Sequence, residues 1–139
     1  MRRPEAVRPW QHVLEPLSGY LQLAEQLVSA EGTKFAKAWN FGPDARGDAT
    51  VREVASTTAR LWADDAQAIH APAQQSPHEA GLLRLDCTLA RTELGWQPRW
   101  SLQQALAHTV AWHRARKEGA DMRAVSFRQI RDYEAATRP

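Results

Sequence analysis

Apolar residues recur at helical spacing along most of the chain. Leu17, Tyr20, Leu21, Ala24, Leu27 and Val28 fall on one face of a helix predicted from about Leu14 to Ala30. Pro16 suits its first turn, where the missing N–H costs nothing, and Gly32 is placed to cap its end. Thr50-Val-Arg-Glu53 has the spacing in which two side chains satisfy each other's backbone amides. It opens a second helix to about Ala63, with Val51, Val54, Ala55, Thr58, Leu61 and Trp62 inward. Asp86 caps a short helix that stops at Leu94-Gly95. Ser101-Leu-Gln-Gln104 repeats the box and starts a helix to about Lys117. Its inward positions are Leu102, Ala105, Leu106, Thr109 and Val110, and Gly119 ends it. Ser126-Phe-Arg-Gln129 is a third box and predicts the start of a last helix through Ile130 and Tyr133.

Strand signals are shorter. An extended segment is predicted at about residues 6–12, because Pro9 biases Arg8 away from helix. Ala38-Trp-Asn-Phe41 reads as a strand stopped by Gly42-Pro43, with a polar loop over Asp44–Ala49. Gln67–Ala71 and Leu82–Leu85 read as brief extended pieces around a loop at Pro72–Pro77. The pattern is α+β and helix-rich, with too few strands for a complete sheet.

Composition narrows the function classes. The 139 residues are 43% hydrophobic and 24% charged, as in an ordinary folded domain. The net charge is +2 and the basic residues are interleaved with acids, so no nucleic-acid stripe stands out. No apolar run reaches membrane-spanning length, and Met-Arg-Arg-Pro-Glu-Ala lacks the apolar core of a signal peptide. Cys87 is alone, which excludes an intrachain disulfide and a zinc box and makes a reducing cytoplasm the expected location. Six tryptophans exceed the need of one small core, so some are expected to face a partner or ligand.

The candidate chemistry gathers before the first helix. Arg8, Gln11 and His12 lie in the extended run that leads into a helix start, a common place for an anion site. Read alone, Arg8 serves equally as a salt-bridge partner for Glu5 or Glu15, His12 as a structural histidine, and Asn40 as a turn former beside Gly42-Pro43. His78 and Glu79 follow a proline-containing loop. His108 and His113 are five apart, not the four that puts two metal ligands on one helix face.

These segments resemble the CDP-glucose 4,6-dehydratases, a group of the extended short-chain dehydrogenase/reductase family. Arg8-Pro-Trp-Gln-His-Val, with Glu15-Pro-Leu-Ser-Gly-Tyr20, is similar to the segment that enters the family's substrate lobe. Trp39-Asn-Phe-Gly-Pro43, Pro77-His78-Glu79-Ala80 and Asp121-Met-Arg match further family segments in order. Asp86 through Leu94-Gly-Trp96-Gln-Pro98 resembles the signature of the wider group. Ser76 stands where relatives often carry an arginine, and Leu89 where a lysine is usual.

The resemblance implies the C-terminal part of a Rossmann-type enzyme, with residues 14–43 packing on an absent nucleotide lobe. Residues 1–13 and 44–139 would then form most of the substrate lobe. It also implies a substrate-binding set of Arg8 (on the diphosphate), Gln11, His12, Asn40, His78 and Glu79 (the last two beside the cytidine ribose). NAD would be held by the N-terminal Rossmann half and not by this chain, whose seven glycines include no dinucleotide-binding turn. The family's acid/base pair is also missing, since Tyr20 and Tyr133 are followed four residues later by Ala24 and Thr137, not lysine. The expected partners are CDP-glucose or a related sugar nucleotide and the missing half. A stand-alone sugar-nucleotide binding module and a small helical protein-interaction protein are the competing readings.

Overall fold

The computed structural model describes residues 3–44, 48–69 and 80–136. His78 and Glu79, with the loop before them, lie outside these residues.

Chain order is β1 (Val7–Pro9), α1 (Leu14–Leu27), a 3-10 turn (Gly32–Phe35), β2 (Asp48–Thr50), α2 (Val51–Trp62), α3 (Thr88–Thr92), α4 (Leu102–Lys117) and α5 (Met122–Ala135). β1 pairs antiparallel with β2, Val7 opposite Thr50 and Pro9 opposite Asp48. Its other edge meets Leu82 in a parallel bridge: Val7 N donates to Gly81 O at 2.8 Å, and Leu83 N to Val7 O at 3.1 Å. Among the described residues this ribbon is the whole sheet, so the fold is helix-rich α+β. β2 falls in the stretch expected to be polar loop. Gln67–Ile69 form no strand and are exposed, and His70 and Ala71 lie outside the described residues.

The local caps explain where most helices begin. The boxes at Thr50/Glu53 and Ser101/Gln104 both form reciprocally. Gly119 ends α4 at φ 77°, its N–H on Arg116 O and that of Ala120 on Ala115 O, the paired bonds of a Schellman end. Asp86 accepts Thr88 N at 2.9 Å at the start of α3.

Two expected caps are not used. α5 starts at Met122, with Asp121 accepting the amides of Arg123 and Ala124, so Ser126 and Gln129 sit inside the helix. The box spacing also occurs wherever two polar residues share a helix face, and Asp121 reaches the free amides first. α1 stops at Leu27, and Gly32 begins the 3-10 turn instead of capping the helix. A Cβ on Gly32 would stand 2.1 Å from Leu27 O, so close backbone approach is what requires glycine there. At the end of α2, Ala63, Asp64 and Asp65 all have positive φ, a conformation disfavoured for residues with a Cβ.

One core cluster joins Phe41, Ala90, Leu94 and Trp96, with Leu23, Phe35 and Trp39 packed against it. α4 packs on both α2 and α5. The inward face of α2 is half-buried throughout, and Thr109 on α4 is exposed, not inward.

α1 meets the rest of this chain with Glu15, Ser18, Gly19, Gln22 and Leu23, and Glu15 is 1% exposed. Leu17, Tyr20, Leu21, Ala24, Leu27 and Val28, the apolar face of the helix in a segment expected to pack on a nucleotide lobe outside this chain, are all exposed. Val28 is 87% and Leu21 68% exposed. The helical period is as expected; the face that meets this chain is the opposite one.

Candidate functional site

The extended run places its polar side chains by alternation and then by the turn into α1. Arg8 is half-buried on β1, its Nη1 donating to Val7 O at 2.8 Å. Trp10 Nε1 donates to Ala49 O at 3.0 Å and fastens the run to β2. Gln11 Nε2 donates to Phe41 O at 2.9 Å, which ties Gln11 to the residue after Asn40. Asn40 is exposed, and its Nδ2 donates to Asp86 O at 3.1 Å. Both amides therefore spend their N–H on main-chain carbonyls and keep their oxygens as acceptors. Gln11 Oε1 is, among the described residues, the buried side-chain polar atom without a hydrogen-bond partner. A buried acceptor left unpaired costs about 1–3 kcal/mol, so it marks where a donor is wanted.

His12 is placed differently. It is 6% exposed, edge-on to Trp100 at 4.9 Å and to His108 at 6.4 Å between ring centres. Its Nδ1 accepts Leu14 N at 3.2 Å, so a neutral ring carries its proton on Nε2. Burial, with His108 nearby, pushes its pKa down to about 4. The structure thus groups Gln11 with Asn40, sets Arg8 on the strand ahead of them, and buries His12 in an aromatic cluster.

The depressed His12 pKa sets a pH dependence. The unfolded chain protonates near 6.5 and the folded one near 4, so the unfolded state binds more protons between them. Stability from this group is complete above pH 6.5 and is lost as pH falls toward 4, by about 3 kcal/mol in all. Urea unfolding at pH 7 and at pH 4.5 measures it. His12→Gln should flatten the slope in this window, and an unchanged slope would assign the loss to other groups.

Glu15 was not apparent as a site residue. Its carboxyl oxygens accept Arg99 N at 3.1 and 3.0 Å, Trp100 N at 2.7 Å and the Tyr133 hydroxyl at 2.7 Å. Ser18 extends the network, lying 2.9 Å from Tyr133 Oη and accepting Trp96 Nε1 at 3.0 Å. Burial, chiefly, raises the Tyr133 pKa and keeps the phenol a donor. Trp100 in turn stacks on His108 at 3.9 Å. Glu15 N also donates to His12 O, which ties the candidate segment to this hub. The sequence signal was an acid one residue before Pro16 at a helix start, which reads as an exposed first-turn acid.

Cys87 is buried and burial raises its thiol pKa, consistent with packing instead of reactivity. No helix of the described residues is long and apolar enough to cross a membrane.

No protein-family model matches the chain. It is 47% identical over 137 residues, 99% of its length, to the CDP-glucose 4,6-dehydratase of Salmonella typhimurium. The chain matches the C-terminal portion of that enzyme. It spans 38% of the relative's length, so most of the dehydratase has no counterpart here. The likeness to the dehydratase includes the whole Arg8–Asn40 region and Glu15, because nearly all of the chain is aligned.

Proposed function

We propose that this chain is the substrate-binding C-terminal portion of a cytoplasmic CDP-glucose 4,6-dehydratase. The observation that carries the reading is the likeness to the Salmonella enzyme across nearly the entire chain. In this reading the complete enzyme converts CDP-glucose to CDP-4-keto-6-deoxyglucose and water. Arg8 neutralises the diphosphate, Asn40 offers an acceptor oxygen to the ligand, Gln11 holds the adjoining Phe41 carbonyl in place, and His78 and Glu79 contribute on the ribose side. His12 supports the segment from behind. These groups bind and orient; the chain by itself is inactive.

NAD does not fit the residues present. No strand leads through a glycine-rich turn into a helix among the described residues. Gly19 and Gly42 are filled against Phe41 and against Leu85 and Cys87, not open to a pyrophosphate. In this reading the cofactor and the acid/base pair belong to the N-terminal portion of the complete enzyme.

Two features support that assignment. The outer stripe of α1 is apolar yet exposed, as a face buried by another body would be. Ala38–Phe41 runs without regular structure, and no backbone bond joins it to a strand among the described residues. Both suit a nucleotide lobe that packs on residues 14–43.

A tryptophan-fluorescence titration with CDP-glucose, UDP-glucose and CDP tests the binding role. Selective, saturable quenching by CDP-glucose is expected, weakened at least about tenfold by Arg8→Ala. Equal response to all three, or binding indifferent to Arg8, would reject the substrate site. A small helical protein-interaction protein, which the exposed stripe also favours, predicts indifference to every sugar nucleotide.

A further inference from the structure

A cleft of about 360 Å³ opens between the start of α1 and the facing sides of α4 and α5. It contains none of Arg8, Gln11 or Asn40. Trp112, Leu14 and Ile130 give it apolar walls, while His12, His113, Ser126 and Gln129 also line it.

The last two are the residues whose spacing suggested a helix cap. They lie mid-helix instead, on the inward side of α5, where apolar residues would be the simplest choice. Gln129 is 9% exposed. Part of each group is spent on binding α5 to α4: Gln129 Nε2 donates to His108 O at 2.7 Å, and Trp112 Nε1 donates to Ser126 Oγ at 3.0 Å. What remains is complementary. Gln129 keeps a carbonyl oxygen as an acceptor, and Ser126 keeps its hydroxyl proton as a donor. His12, with Nδ1 occupied by Leu14 N–H, has only an Nε2–H left to give. Lys, Arg, Asp and Glu are absent from the lining. The outer stripe of α1, by contrast, is apolar apart from the Tyr20 hydroxyl and suits a packed protein face.

We propose that this cleft is a binding site for a small, neutral, planar ring that carries both a hydrogen-bond donor and an acceptor, of the lactam or carboxamide type. The indole and aliphatic walls take the ring faces. Gln129 and Ser126 read the polar edge. The absence of a permanent charge selects against anions, which the diphosphate-binding role of Arg8 would demand of the other site.

Ligand-observed NMR on the full chain tests this, with 2-pyridone and nicotinamide as probes, toluene as the apolar control and benzoate as the charged one. Saturable binding of both neutral probes is expected, with toluene and benzoate weaker. Gln129→Leu and Ser126→Ala should each weaken the probes about five- to tenfold, the loss of one hydrogen bond. Circular dichroism checks that each variant is folded, and Ser126→Ala, the smaller change, decides if Gln129→Leu is not. No saturation by either probe at tens of millimolar overturns the proposal. So does toluene binding equally well, or probe binding unchanged in a folded variant. The test uses no sugar nucleotide, so its outcome is independent of the substrate reading.

Discussion

Glu15→Ala should cost about 3–5 kcal/mol of folding stability, measured as the urea-unfolding free energy at pH 7. The side chain is 1% exposed, and its removal strands the amides of Arg99 and Trp100 and leaves the Tyr133 hydroxyl only Ser18 as a partner. Those groups belong to the segment before α4 and to α5, so a single carboxyl fastens three parts of the chain. A domain of this size is stable by only about 5–15 kcal/mol, so the variant should sit close to unfolded. Glu15→Gln separates shape from hydrogen bonding. It fills the same space and can keep its oxygen on the donor amides of Arg99 and Trp100 while its NH2 faces the Tyr133 hydroxyl, which can accept as well as donate, and should lose less than the alanine variant. A change below about 1 kcal/mol for Glu15→Ala would show that the network is not what holds α1 in place.

The opposite side of the same helix should behave in the opposite way. Leu17→Glu with Leu21→Glu places charges where both side chains already meet solvent. The isolated chain should keep its stability within about 0.5 kcal/mol, or aggregate less. Assembly with the N-terminal portion of the Salmonella dehydratase, supplied as a separate polypeptide, should fall by roughly a hundredfold or more, because two unpaired charges would be buried. Size-exclusion chromatography of the mixture and an unfolding curve of the variant alone measure the two effects. Unchanged assembly would remove the α1 stripe from the interface, and unfolding of the isolated variant would mean that the stripe packs within this chain after all.

What could be read from the sequence was what is local. Thr50 and Ser101 cap their helices as spaced, and Gly95 and Gly119 take the positive φ their positions suggested. β2 could not be read, because the last two residues of a polar loop and the cap residue Thr50 become a strand only by pairing with β1 some forty positions earlier. Periodicity identifies two faces of α1 but does not say which of them this chain covers; that its apolar face looks outward was suggested by the family resemblance alone. Asp121 was hidden by a rival cap with a better-known pattern. At the candidate site, the hydrogen bond from Gln11 to Phe41 O and the burial of His12 against Trp100 depend on residues far apart in sequence. Their residue types were visible; their division into two amides tied to main-chain carbonyls and a buried ring was not.

The exposed stripe on α1 also bears on how long the molecule lasts in a cell. Contiguous leucine and valine side chains at a surface are what chaperones retain and what quality-control proteases reach first. A chain of this kind would be cleared quickly when made in excess of whatever covers the stripe. Its steady-state amount would then follow the supply of its covering partner more closely than its own rate of synthesis.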